Sequence, residues 1–158
     1  LSQRNRARRQ GWTHGGKGAD TIMRDYQKQK FYAFERAMIK RFLPSNLEDG
    51  LSFEESIALG DRICKTYKIK TPMFKKGRST KIAYYRRLQH TITLPPWAQR
   101  DNVVLHEVAH AVTFAKDYDD PGHGQYFVSI WMQMFSRMYD VSLEELRVCA
   151  TQHKIDFC

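Results

Sequence analysis

The residues best placed to do chemistry are His106, Glu107 and His110, within "VVLHEVAHAV" (103–112). On an α-helix, positions i and i+4 stack one turn apart on a single face. Both imidazoles can therefore aim at one point, as two ligands of a tetrahedral metal must. Glu107 lies about 100° round the helix from His106, where it can take a proton from an attacking water and return it to a leaving amine. The surroundings sharpen the reading. Val103, Val104, Leu105, Val108, Ala109, Ala111 and Val112 make the stretch apolar nearly all round, which predicts a buried helix. Two histidines and a carboxylate are costly there unless something pairs with them, and a metal ion does so. Zinc is the expected cofactor, and metal-assisted hydrolysis of peptide bonds the expected reaction.

A third protein ligand is needed. His123 in "DDPGHGQYF" is the best candidate, because flanking glycines let the backbone approach the site closely. Asp117, Asp119 and Asp120 are alternatives, or one of them supports a ligand imidazole from behind. His14, His90 and His153 have no comparable setting. Tyr84, Tyr85 or Tyr126 can donate a hydrogen bond to a developing oxyanion.

The elements that must position these residues read as follows. Asp20 or Thr21 caps a helix running to about residue 42, with Ile22, Tyr26, Phe31, Phe34, Met38 and Phe42 along one side. Ser52 and Glu55 form a capping box that opens a second helix to about residue 67. Three β-rich stretches follow, "KIKTPMF" (68–74), "TKIAYY" (80–85) and "HTITLP" (90–95), with "KKGRS" and "RRLQ" as turns. Either of the last two can offer a sheet edge to an extended peptide. Helices are expected over 98–115 and 125–139, and Ser142 with Glu145 is a second capping box before a C-terminal helix. Helices, a small sheet and more helices make an α+β domain.

With 158 residues and 42% apolar content, the chain is one domain's worth of core. No apolar run approaches the ~18 residues that span a bilayer. The charged N-terminus lacks the apolar stretch of a secretory signal, which predicts an intracellular or virion-packaged protein. Cys64, Cys149 and Cys158 form no C-x-x-C pair, so free thiols are expected rather than a zinc ribbon or disulfide framework.

The net charge of +9 is concentrated. Residues 1–43 hold eleven Lys and Arg against three acids, and residues 68–87 hold eight against none. Such clustering marks a polyanion partner or a solvated basic surface. Residues 1–19, Arg- and Gly-rich without periodicity, read as a flexible basic arm, with Arg4, Arg6, Arg8 and Arg9 available to nucleic acid or to a larger assembly. Residues 20–158 read as the single folded domain.

"LHEVAHAV" followed by "PGHGQYF" resembles the SprT-like zinc metallopeptidases. That resemblance implies a zincin-like fold, with the small mixed or antiparallel sheet packed on the motif helix and helices at both ends. It also implies His106, His110 and His123 as zinc ligands and Glu107 as catalytic base. "RDYQKQKFYAFE" (24–35) and "TITLPPWAQRDNVVLHEVAHAV" (91–112) are further similar to small metallohydrolases of actinobacteria and their phages. A second reading keeps the fold but makes the protein a structural, nucleic-acid-associated component of a virion or nucleoprotein particle.

Overall fold

A computed structural model describes residues 25–43, 50–116 and 119–158. The basic arm, with Arg4, Arg6, Arg8 and Arg9, lies outside the described residues, as do the caps expected at Asp20 and Thr21. Five helices and three strands are described, in the order α1 (Lys28–Phe42), α2 (Phe53–Thr66), β1 (Met73–Lys76), β2 (Tyr84–Arg86), β3 (Thr91–Leu94), α3 (Asp101–Ala115), α4 (Gln125–Tyr139) and α5 (Leu143–Gln152). This is an α+β architecture. Among the described residues no helix is long and apolar enough to cross a membrane.

The first helix opens later than its apolar spacing suggests. Phe31, Phe34 and Met38 are its buried stripe, but Gln27, its N-cap, gives α1 no side-chain bond. The buried Gln27 amide instead clamps the chain's far end, donating to the Asp156 carbonyl at 3.0 Å and accepting the Asp156 N–H at 2.9 Å. Asp25 is engaged elsewhere in the fold, with His123. Tertiary partners thus take the side chains that would otherwise have capped this turn. By contrast, α2 opens on the expected capping box, with both reciprocal bonds formed between Ser52 and Glu55. At Ser142 only the Ser-to-Glu145 half is present.

The sheet is mixed, in the order β1-β3-β2, with β1 parallel and β2 antiparallel to β3. The stretch at 90–95 is therefore the central strand and offers no edge, because both its sides are already paired. The edge beside α3 is β2. Strand boundaries also shift from the sequence reading. Lys75 and Lys76, expected in a turn, pair with Thr93 and Leu94, and pairing ends only after the Gly77 N–H reaches the Leu94 carbonyl. Residues 80–83 stay out of β2 because the Ser79 hydroxyl accepts the Lys81 and Ile82 N–H groups, folding a local turn.

Alternation divides the sheet's two faces. Phe74, Ile92 and Tyr85 share one row and join the core, where Phe74 packs over Gly60 of α2. Lys75, Thr93 and Tyr84, with Met73, Thr91 and Arg86, form the rows of the other face. On the inner side α3 is buried almost all round, as its composition requires. Behind it α4 supplies Phe127, Trp131 and Phe135 to the same core. Burying Trp131 and Phe135, stacked at 4.8 Å, contributes several kcal/mol to holding α4 against α3.

Candidate metal centre

His106 and His110 face the same way from α3, and His123 arrives on the loop before α4. One ligand atom from each of the three lies within 4.8 Å of the others. Among the described residues this is the group of His, Cys, Asp and Glu side chains placed to hold a metal ion. The nitrogens Nε2 of His106 and His123 stand 3.2 Å apart.

Two carboxylates decide which nitrogens face inward. Nδ1 of His106 is 2.8 Å from Glu35 Oε1, and Nδ1 of His123 is 2.7 Å from Asp25 Oδ2. An acceptor-only carboxylate requires Nδ1 to donate, so Nε2 of each ring is the nitrogen turned toward the other. Two ring nitrogens 3.2 Å apart need a positive centre between them, either the proton that His106 retains up to a pH of about 9 or a metal ion that displaces it. Tetrahedral bonds of ~2.0–2.1 Å to a zinc ion place two ligand nitrogens ~3.3 Å apart, so the observed spacing fits that ion.

Ring stacking fixes the orientations further. Tyr32 lies against His106 at 5.8 Å and 13°, Phe31 against His123 at 5.4 Å and 26°, and Phe127 against His110 at 4.2 Å and 24°. Each imidazole therefore has its own aromatic wall.

The G-H-G segment has a backbone reason. Gly122 has φ +64°, and a Cβ there would come 2.6 Å from the Asp25 carboxylate. A Cβ on Gly124 would fall on the Asp120 carboxylate. Asp120 itself accepts the Phe127 N–H at 2.6 Å, capping α4 from outside the helix. Of the alternative ligands, Asp120 thus serves the helix, and Asp117 lies outside the described residues. His90 bridges Tyr85 Oη and the Lys70 carbonyl, and His153 bonds the Cys149 carbonyl, so both act in the framework.

Electrostatics follow from burial and these pairings. Burial lowers the His106 pKa, but the charge and hydrogen bond of Glu35 and the charge of Glu107 outweigh it, leaving the ring at about 9. Burial raises Glu107; His106 and the Tyr85 backbone N–H pull it back while Glu35 pushes it up, and it stands at about 7. His110 is driven well below its ordinary value by burial and by the neighbouring His106 and His123. His123 is lowered chiefly by burial, against the pull of Asp25.

His106 and His110 open on a cavity of about 430 Å³. Its wall includes Glu107, Tyr32, Tyr84 and Tyr85, and the edge strand β2 forms one side. Tyr126 stands in the first turn of α4, outside that wall. Sequence reasoning missed Asp25, Glu35 and Tyr32, which lie 71 or more residues from the motif histidines they meet. Their one signal was membership of "RDYQKQKFYAFE", where the two acids entered only the charge count.

Fold and site together define an α+β domain with a three-histidine cluster suited to a metal ion. The model of the SprT-like family matches residues 75–150. The matched segment runs from β1 into α5 and holds His106, Glu107, His110 and His123, whereas Asp25 and Glu35 precede it. No curated protein and no solved structure matches the chain.

Proposed function

We propose that the protein is a zinc-dependent metallopeptidase of zincin-like architecture, with His106, His110 and His123 as metal ligands and Glu107 as general base. The observation that carries this reading is the convergence of three imidazoles, two of them held by carboxylates, beside a glutamate in an open cavity. Held by His106, His110 and His123, a zinc ion would supply a more acidic water and a Lewis acid for the substrate carbonyl.

The chain's own groups do the rest. Glu107 accepts a proton from the attacking water and delivers it to the leaving amine. Its carboxylate is steadied by the Tyr85 backbone N–H. Tyr84 and Tyr32 are the phenols on the cavity wall that can donate to the developing oxyanion. The β2 edge aligns an extended peptide by main-chain pairing, which favours a peptide over other electrophiles.

The test uses purified protein and a casein or peptide-library digest. Wild type should hold one zinc per chain and cleave. Glu107→Gln should retain zinc and lose cleavage, and His123→Ala should lose zinc. Unchanged cleavage by Glu107→Gln would refute the mechanism, and wild type without zinc affinity would refute the metal assignment.

A further inference from the structure

We propose that the solvent face of the sheet is a substrate subsite selecting acidic side chains on one flank of the scissile bond. The proposal rests on the peptidase reading and names a substrate class for that same site. The face carries a groove of about 330 Å³ whose basic side chains are Lys75, Arg78 and Arg86, whereas Lys76 borders it from the other row with its ammonium 5.3 Å over the Phe53 ring. No acidic side chain lines it. All three are exposed, and among the described residues none has a carboxylate within ion-pair distance. Three uncompensated charges in one concave surface raise the local concentration of anionic ligands.

The groove is a built surface. Register places Lys75 and Tyr84 on either side of Thr93, and Arg86 beside Thr91. The Arg86 guanidinium lies 5.1 Å over the Tyr84 ring, which orients it across the floor. The loop bearing Arg78 is tied down at both ends, by the Gly77 N–H on the Leu94 carbonyl and by the Trp97 indole N–H on the Ser79 carbonyl.

Position argues for a peptide. Ile82 and Tyr84 line both this groove and the cavity of the histidine cluster. A chain aligned along β2 with its scissile bond near Glu107 therefore presents neighbouring side chains to the groove. A volume of this size takes a few side chains, and carboxylates there meet guanidinium and ammonium donors together with the Thr93 hydroxyl.

The experiment measures binding to zinc-loaded Glu107→Gln protein by fluorescence anisotropy. The probes are two labelled eight-residue peptides, one with three consecutive glutamates and one with glutamines in their place. A labelled single-stranded oligonucleotide of the same net charge as the acidic peptide is the third probe. Exposed ion pairs of the usual strength predict roughly 3- to 30-fold tighter binding of the acidic peptide at low salt, shrinking as salt rises. In an Arg78→Glu, Arg86→Glu variant the preference should vanish or reverse. Should that variant not fold, the salt series on the unaltered groove decides: a preference that salt leaves unchanged overturns the proposal.

Equal affinity for the acidic and glutamine peptides also overturns it. So does an oligonucleotide that outcompetes the acidic peptide and depends on the same arginines, since that assigns the groove to phosphates. The two readings fail separately: preferential acidic binding without cleavage by wild type sinks the peptidase, whereas cleavage with no charge preference sinks the subsite.

Discussion

Removing the carboxylate behind a ligand imidazole tests the site's logic most directly. Asp25 accepts the His123 Nδ1–H at 2.7 Å and also the His123 backbone N–H at 3.3 Å. Asp25→Asn keeps the shape but replaces a charged acceptor with a neutral amide, weakening the bond and releasing the ring's tautomer. Loss of such a partner typically weakens metal binding ~10- to 100-fold, or ~1.4–2.7 kcal/mol. The same range applies to Glu35→Gln at His106, whose bond is 2.8 Å. The effect also reads out as stability. With free zinc at ~100 times the wild-type Kd, binding adds ~2.7 kcal/mol, and a 10- to 100-fold weaker site keeps only ~0.4–1.4 kcal/mol. At ~2–4 °C per kcal/mol for a chain of this size, the zinc-induced rise in Tm should fall by several degrees. Competition against a chromophoric chelator gives Kd, and thermal melts with and without zinc give the linkage. Metal affinities within about twofold of wild type for both variants, with normal melting of the metal-free proteins, would show that the carboxylates do not position the ligands.

Three further outcomes are expected. Gly122→Ala forces an L-residue to φ +64° and pushes a methyl toward the Asp25 carboxylate; it should cost ~1–2 kcal/mol of stability and weaken zinc binding, checked by melts and chelator competition. Trp131→Ala empties a site that is 1% exposed and should cost ~3–5 kcal/mol, checked by urea denaturation. Burial, aided by the charge of Asp61, raises the Cys64 thiol to about 11. Its proton stays on in the folded chain while an unfolded thiol ionises near 9, so the Cys64 contribution to stability is intact below pH 9 and is lost as pH rises toward 11. A thiol reagent at about pH 8 should accordingly label the exposed Cys158 quickly, and the buried Cys64 and Cys149 only in denaturant.

Much of the site was legible because its signals are local. The i, i+4 spacing of His106 and His110 follows from helix geometry alone, and their apolar flanks announce burial. The glycines around His123 announce a close backbone approach, which Gly122 makes through its left-handed φ and its contact with Asp25. The Ser52–Glu55 box and the α4 limits were readable for the same reason.

What the sequence could not supply was partnership across distance. Nothing within "RDYQKQKFYAFE" distinguishes Asp25 and Glu35 from solvated charges, since their meaning depends on rings 98 and 71 residues away. The paired strands could be found by composition, but their order could not. Placing 90–95 at the centre leaves β2 as the edge beside Glu107, a choice made by packing rather than by local preference. By itself the sequence determined a buried helix with two imidazoles on one face, because periodicity and hydrophobicity are properties of a segment. Only the tertiary structure decided which nitrogens His106 and His123 turn inward, because that choice is set by the acceptor that the fold carries to the other side of each ring.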